Sequence, residues 1–157
     1  MRPFVSYRKK ESGINDTKDK LQDVKRRSKN LEPVLTAAGI SLRKYLASNY
    51  TGQGLLVGGW APLDPKYAAW KAVNFPGTPP MVRTGALFNS VAVVGPEIDA
   101  HDNWATYTLK GVNYAKFHQY GTTKMPKRQI WFAPEVWQDE LKDKIANYVM
   151  NGVLNVD

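Results

Sequence analysis

The sequence predicts an α+β fold, in which N-terminal helices and a C-terminal helix pack on a small antiparallel sheet of about three to four strands. Apolar residues recur with a helical period between Leu31 and Asn49, and again between Val136 and Val149. Between these two stretches, residues 103–110 alternate in the manner of a strand. We expect long loops and extended arms to connect and flank these elements.

The chain has 157 residues, which is the size of one ordinary domain. We divide it into a basic N-terminal arm or polar helix over residues 1–29, a single α+β domain over residues 30–152, and a C-terminal tail over residues 153–157. The tail reads Val-Leu-Asn-Val-Asp, which is apolar for a tail and indicates a partner.

The positive charge lies mostly in the N-terminal arm. The net charge is +8, but residues 1–30 hold ten Lys or Arg against four Asp or Glu, so the remainder is nearly neutral. Over residues 16–28, opposite charges fall at helical spacing and the apolar residues are Leu21 and Val24. This pattern predicts a polar helix that another subunit would order. Such an arm can bind nucleic acid, dock on an acidic protein surface or stay solvated.

Composition excludes several kinds of chemistry. The chain has no cysteine, so it has no disulfide, thiolate nucleophile or sulfur metal ligand, and its two histidines, His101 and His118, cannot form a histidine cluster. We expect no metal and no cofactor. No apolar run approaches the length of a membrane span, and the first ten residues lack the apolar core of a signal peptide. The sequence therefore predicts a soluble protein that stays inside the cell.

The first helix of the domain has the clearest pattern. We place its N-cap at Asn30, and Pro33 falls in the first turn, where a missing N–H is tolerated. The stripe predicts a core helix and comprises Leu31, Val34, Leu35, Ala38, Leu42, Tyr45, Leu46 and Asn49. After it, residues 51–59 contain four glycines and no periodicity, which predicts a loop or flexible flap.

Two shorter helices are expected next. Asp64 is the predicted N-cap of one that begins at Pro65 and carries Tyr67 and Trp70. Thr84 is the predicted N-cap of a second that runs to about Phe88, with Arg83 beside the cap.

A β-hairpin should follow. Residues 90–95 are short and β-branched, residues 103–110 alternate, and the acidic residues 96–102 lie between them as a turn. A third strand is predicted at about residues 129–132. The last helix should begin at Pro134 and end near Gly152, with apolar positions at Val136, Trp137, Leu141, Ile145 and Val149.

The segment from residue 112 to residue 133 joins a helical turn to a basic loop. Tyr114, Phe117 and His118 fall at i, i+3 and i+4, which places them on one helical face. Gly121 should end the helix, and the Met125-Pro126 dipeptide favours an extended chain. The loop carries the cations Lys124, Lys127 and Arg128.

Catalysis is disfavoured by the surroundings of the two imidazoles. The neighbours of His118 are aromatic and basic, and no second base or nucleophile accompanies it. His101 lies among Asp99, Asp102 and Asn103, which an acidic hairpin turn explains without a metal. We therefore expect that the protein is not an enzyme.

The loop cations and the aromatic residues leave two alternatives. The cations could meet phosphate while Trp131 stacks on a base, as in a nucleic-acid binder. Alternatively, the strand aromatics enter the core and the loop contacts acidic groups on another subunit. Interfaces are enriched in aromatic residues and arginine, so the tryptophan content favours an assembly protein.

Three stretches together resemble motifs of the tailed-phage virion morphogenesis and tail-completion family, the small neck proteins between head and tail. They are Trp60-Ala-Pro-Leu with Asp64 and Lys71, then residues 82–90 (Val-Arg-Thr-Gly-Ala-Leu-Phe-Asn-Ser), and Tyr114-Ala-Lys-Phe-His-Gln-Tyr-Gly-Thr followed by Met125-Pro-Lys-Arg. Their order is more specific than any one of them. The chain departs from the family where residues 129–132 read Gln-Ile-Trp-Phe, in place of a second proline followed by Phe-Leu.

The resemblance implies a non-catalytic subunit of a phage neck. Several copies of such a subunit would form a ring that completes or terminates the tail and joins it to the head connector. The implied partners are copies of the same chain, the tail-tube protein, the head–tail connector or stopper protein and, in a contractile tail, the sheath. DNA would be passing cargo, no membrane is implied, and the location would be the virion neck or tail end after assembly in the host cytoplasm.

On this basis we expect a set of interface residues and a set that shapes the backbone. The interface residues are Arg83, His118, Lys124, Lys127 and Arg128. The backbone-shaping residues are Thr84, Gly85, Gly121 and Pro126. The alternative function is a basic nucleic-acid-binding protein that uses the N-terminal arm and the 124–128 loop.

Overall fold

The computed structural model describes residues 8–154, with the backbone alone for residues 8–12. Its helices are α1 (Arg8–Ser28), α2 (Glu32–Thr51), α3 (Pro65–Asn74), α4 (Ala86–Phe88), α5 (Ala115–Tyr120) and α6 (Glu135–Asn151). A 3₁₀ turn covers Leu55–Val57, a π-helical segment continues α4 over Asn89–Val94, and the strands are β1 (Glu97–Ala100) and β2 (Ala105–Thr108). The predicted α+β class is confirmed, while residues 1–7 of the arm and 155–157 of the tail lie outside the described residues.

Helix α2 forms the centre of the core, as its stripe predicts. Leu31 occupies the N-cap position, while the Asn30 Oδ1 accepts a hydrogen bond from the Glu32 N–H at 3.1 Å. The buried cluster around α2 comprises Ala38, Leu42, Leu46, Tyr50, Leu87, Val91, Ile130 and Trp137. Helix α6 joins this core through the Trp137 indole, which donates to the Ala38 carbonyl at 3.0 Å. The core is therefore built between the two longest apolar stripes of the sequence.

Helix α1 is attached by its last turn to the end of α6. The Arg27 guanidinium donates from Nε to the Val149 carbonyl at 2.8 Å and from Nη2 to the Met150 carbonyl at 3.0 Å. These are carbonyls of the last turn of α6, where a cation is favoured by the helix dipole. The polar helix therefore has an anchor within its own chain, in contrast to the expectation that another subunit would order it.

The hairpin exists, but its first strand is displaced from the predicted position. β1 and β2 pair antiparallel, with Glu97 opposite Thr108 and Ala100 opposite Ala105. β1 therefore falls inside the stretch predicted to be the acidic turn. The hairpin packs on α2 closely enough that a Cβ at Gly39 would lie 2.6 Å from the Tyr107 ring.

The predicted strand at residues 90–95 is wrong, because this stretch is helical. α4 continues as a π-helical segment through Val94, which buries Val91 completely in the core against α2. Burial of this one side chain outweighs the β propensity of the neighbouring valines, since β propensity depends strongly on context.

The predicted third strand at residues 129–132 is also wrong, so the described sheet has two strands rather than three to four. The chain has no strand partner here and bonds instead to the Gln119 side chain. The Gln119 Oε1 accepts from the Ile130 N–H at 3.0 Å and from the Trp131 N–H at 2.9 Å. Its Nε2 donates to the Trp131 carbonyl at 2.7 Å. One glutamine thus satisfies the backbone groups that a neighbouring strand would otherwise pair.

Among the described helices, none combines the length and the apolar character that crossing a membrane requires.

Candidate functional site

The three motif stretches of the sequence meet around one pocket, with a cavity volume of about 450 Å³. The start of α3, the loop before α4, and α5 with its following loop each contribute a wall. The lining residues are Leu63, Asp64, Tyr67, Pro80, Met81, Arg83, Thr84, Gly85, Ala86, Leu87, Tyr114, His118, Lys124, Met125, Pro126 and Arg128. Segments up to 65 residues apart in sequence therefore form a single concave site.

The α3 wall begins with the predicted cap. The Asp64 Oδ1 accepts hydrogen bonds from the Lys66 N–H at 3.0 Å and the Tyr67 N–H at 3.1 Å, and Pro65 occupies the first helical position. Beyond the cap, the rings of Tyr67 and Trp70 stack with centroids 5.6 Å apart, and both are exposed. The capped helix thus presents an aromatic surface beside the pocket.

Lys71, the lysine of the first family-like stretch, is a buried cation, and the sequence patterns did not predict its burial. Its Nζ donates to the Thr78 carbonyl at 2.9 Å and also to the Pro79 carbonyl, which ties α3 to the loop over residues 75–80. Burial lowers the pKa of Lys71. The available signal was a lysine in the last turn of a helix followed by a Pro/Gly-rich loop, whose carbonyls lack regular partners.

The loop before α4 shows one difference from the prediction. Gly85 occupies the N-cap position with a φ of 82°, and no side chain caps the helix, so Thr84 is not the N-cap. A positive φ of this kind favours glycine, which accords with a backbone-shaping role for Gly85. Arg83 and Thr84 are exposed and line the pocket. The Tyr50 hydroxyl donates to the Met81 carbonyl at 2.8 Å and attaches this loop to α2.

The α5 wall ends at the predicted glycine. Gly121 has a φ of 77°, and a Cβ there would lie 2.9 Å from the Lys127 backbone nitrogen, so the close approach requires glycine. The Thr122 N–H donates to the Met125 carbonyl at 2.8 Å, which closes the turn that carries Lys124. The Arg128 N–H donates to the His118 carbonyl at 2.7 Å. The basic loop is therefore held by hydrogen bonds at both ends.

Arg128 is buried, with 3% of its surface exposed, and it bonds to its own chain. Its Nε donates to the Ala61 carbonyl at 2.8 Å and its Nη2 donates to the Pro62 carbonyl at 2.6 Å. Burial lowers its pKa, although a guanidinium stays charged in proteins. In this chain Arg128 connects the loop to the segment before α3, so it differs from the exposed loop cation that the sequence suggested.

His118 lines the pocket, and its surroundings disfavour the charged imidazolium. Its Nδ1 is enclosed and has no hydrogen-bond partner in the part of the chain that the structure describes, and its ring meets the Tyr114 ring edge-on with centroids 6.1 Å apart. Burial lowers the pKa of His118, and the nearby Arg128 charge lowers it further. Among residues 13–154 no carboxylate forms an ion pair with this imidazole, so that part of the chain supplies no acid to orient it as a catalytic base.

The outer rim of the pocket carries free cations. Arg83 and Lys124 line it and are exposed, Lys127 is exposed next to it, and none of the three pairs with an acid among residues 13–154. The carboxylate in the lining, Asp64, already caps α3. The pocket therefore combines an apolar interior with an unneutralised positive rim.

Pro126 is a predicted backbone-shaping residue, and His101 is predicted to lie in a hairpin turn. Pro126 lines the pocket, and His101 lies in the turn between β1 and β2 with its Nε2 3.2 Å from the Asp99 carboxylate. Among the residues searched, which are those that the structure describes, no group of three or more His, Cys, Asp or Glu side chains is arranged to hold a metal ion.

Comparison of the chain with protein-family models, with curated proteins and with solved structures gives no match. The resemblance to the tail-completion family therefore rests on the residues of the three stretches themselves.

Proposed function

We propose that the chain is a structural subunit of a phage neck, which forms a ring that completes or terminates the tail and joins it to the head connector. The observation that carries the proposal is the meeting of the three family-like stretches around one pocket. The stretches are far apart in the sequence, but residues of all three line the same pocket. Chance matches to a motif would be scattered over the surface, so this clustering supports a shared binding role.

The chemistry of the pocket suits binding rather than catalysis. Its interior is apolar, its rim carries Arg83 and Lys124, which pair with no acid in residues 13–154, and the one carboxylate in its lining is engaged in capping a helix. Such a combination fits an apolar protein segment that ends in or is flanked by an acid.

Exposed apolar side chains on several elements support an assembly role. Tyr67 on α3 and Tyr114 before α5 line the pocket and expose 39% and 44% of their surface, and Trp70, which stacks on Tyr67, exposes 46%. Exposed apolar groups of this kind mark association surfaces when they lie together with a concave site. In a ring, heterologous contacts between copies would cover them.

The test is the assembly state of the purified chain. We expect rings in negative-stain electron microscopy, and a mass of several subunits in light scattering coupled to size exclusion. With the tail-tube protein encoded by the same genome, the chain should add density at the end of the tube. A protein that stays monomeric at every concentration and adds no density to tubes would refute the proposal.

A second candidate, nucleic-acid binding, is favoured by the exposure of α1. This helix carries eight Lys or Arg and four Asp or Glu, and it contacts the remainder of the chain through its last turn. The test is salt dependence: affinity for duplex DNA should fall steeply between about 50 and 200 mM salt, and deletion of residues 1–30 should flatten the slope. Binding without such a slope would exclude this candidate.

A further inference from the structure

The turn between β1 and β2 presents an exposed tryptophan in a fixed position. All residues from His101 to Trp104 are exposed, and 51% of the Trp104 surface is accessible. The turn is closed by the His101 N–H, which donates to the Trp104 carbonyl at 2.9 Å, and the two rings stack with centroids 4.2 Å apart. Because the indole is already ordered, it would lose little conformational entropy on binding.

The same turn carries unused polar groups. The Trp104 Nε1 has no hydrogen-bond acceptor among the described residues, whereas the indoles of Trp60 and Trp137 each donate to a carbonyl. Asp99 pairs with His101, but the Asp102 carboxylate forms no ion pair within residues 13–154. The turn therefore offers an aromatic ring with a free donor beside a free negative charge.

The pocket offers the complementary groups. Leu63, Met81 and Met125 supply apolar lining, and methionine adapts its shape to aromatic partners. Arg83 and Lys124 supply positive charge at the rim, and neither forms an ion pair with another described residue. A cavity of about 450 Å³ lies within the range of sites that enclose a group the size of an indole.

The turn and the pocket lie at opposite ends of α2 in the same chain. The Asp102 carbonyl accepts a hydrogen bond from the Leu31 N–H at 2.6 Å, at the start of α2. The Tyr50 hydroxyl holds the pocket loop at Met81, near the end of α2. With a rise of 1.5 Å per residue, Leu31 and Tyr50 are separated by roughly 28 Å. The turn is therefore out of reach of its own pocket.

We propose that the pocket receives the β1–β2 turn of a second copy of this chain, with Trp104 as the apolar anchor and Asp102 placed against Arg83 and Lys124. This inference rests on the proposed ring assembly and names its subunit contact. Because the two surfaces differ and lie at opposite ends of the subunit, the contact is heterologous and repeats from copy to copy until the ring closes.

Two disabling variants, studied separately and mixed, test the contact. The turn variant is Trp104→Ala, and the pocket variant is Arg83→Glu with Lys124→Glu. Each should weaken self-association at least tenfold in sedimentation velocity, because an anchor of this type dominates its interface. A 1:1 mixture retains one intact contact per pair, so it should form a heterodimer and stop there.

Matched controls separate the contact from folding defects. Tyr120→Ala removes an aromatic that is 79% exposed and outside the pocket lining, and Lys66→Glu reverses an exposed charge on α3. Both should assemble as the unmodified chain does. Thermal melts by circular dichroism should agree among all variants, since every substituted side chain is exposed. As a further check, Asp102→Lys combined with Lys124→Glu should assemble better than either single substitution.

Each outcome decides between the two proposals. If the unmodified chain forms rings and both disabling variants do too, the named contact is wrong while the ring assembly stands. If Trp104→Ala assembles normally but deletion of residues 153–157 abolishes rings, the C-terminal tail is the occupant and the turn is not. If the unmodified chain is monomeric at all concentrations, both proposals fail. A mixture of the two disabled variants that yields only monomers also overturns the contact.

Discussion

Helices α1 and α2 have nearly the same length, 21 and 20 residues, but they are held in opposite ways. Ten residues of α2 are buried, whereas every described side chain of α1, from residue 13 onward, is exposed or partly exposed. α2 is stabilised along its whole length by apolar contacts, while α1 relies on charge pairs at helical spacing and on the anchor that Arg27 makes to α6. The contrast shows that similar helices can carry very different shares of the fold's stability.

The largest effect is expected from truncation of the α2 stripe. Leu46 is fully buried, so Leu46→Ala should lower the free energy of unfolding by about 2–5 kcal/mol through lost burial and the cavity left behind. Leu21 on α1 is 64% exposed, so Leu21→Ala should change the free energy of unfolding by no more than about 0.5 kcal/mol. Urea denaturation followed by circular dichroism measures both. Equal effects at the two positions would abolish the contrast between the helices.

Loss of the Arg27 anchor between α1 and α6 should lower the free energy of unfolding by less than truncation of Leu46 in α2. Arg27→Ala removes two charge-assisted hydrogen bonds to the last carbonyls of α6, so a loss of about 1–2 kcal/mol is expected. Hydrogen exchange should show faster exchange in α1 and in the last turn of α6. The Arg26 side chain is 76% exposed and, among the described residues, its ion pair is with Asp23, so Arg26→Ala is the matched control and should leave α6 protected.

Two glycines should respond in opposite directions to the same substitution. A Cβ at Gly39 would lie 2.6 Å from the Tyr107 ring. The ring cannot easily move away, because the Tyr107 hydroxyl donates a hydrogen bond to the Leu35 carbonyl. Gly39→Ala should therefore lower the free energy of unfolding by about 1 kcal/mol or more. A Cβ at Gly13 meets nothing within 4 Å, so Gly13→Ala should stabilise α1 by about 0.5–1 kcal/mol through helix propensity. Melting temperatures that shift in the same direction would contradict this prediction.

The smallest effect concerns the surface charges of α1. Asp23 lies 2.9 Å from Arg26 and 4.0 Å from Arg27, and the side chains of Asp23 and Arg26 are 51% and 76% exposed. Asp23→Asn should reduce the stability of α1 by about 0.2–0.5 kcal/mol at low salt. The loss should appear as a slightly lower helix content in circular dichroism. The difference from the unmodified chain should disappear near 1 M salt, where the screening length is about 3 Å. A difference that persists at high salt would indicate that the charge pairs are not its source.

Local patterns correctly predicted several elements. The stripes of α2 and α6, the Asp64-Pro65 start of α3 and the end of α5 at Gly121 all appear in the structure. Each depends on residues within a few positions of one another, through helical period, capping or a positive φ. The rim cations Arg83 and Lys124 were likewise identified from sequence, although their interface role stays a prediction.

Only the tertiary structure decided where distant segments meet. Residues 89–94 are helical because Val91 packs on α2, and residues 129–132 form no strand because the Gln119 side chain takes the backbone hydrogen bonds. Arg128 and Lys71 are buried because carbonyls of remote loops accept their hydrogen bonds. The sequence by itself determined the helices α2, α3 and α6, since their apolar and capping residues are neighbours along the chain. The pocket and its buried cations depend on contacts between remote segments, whose partners no local pattern specifies.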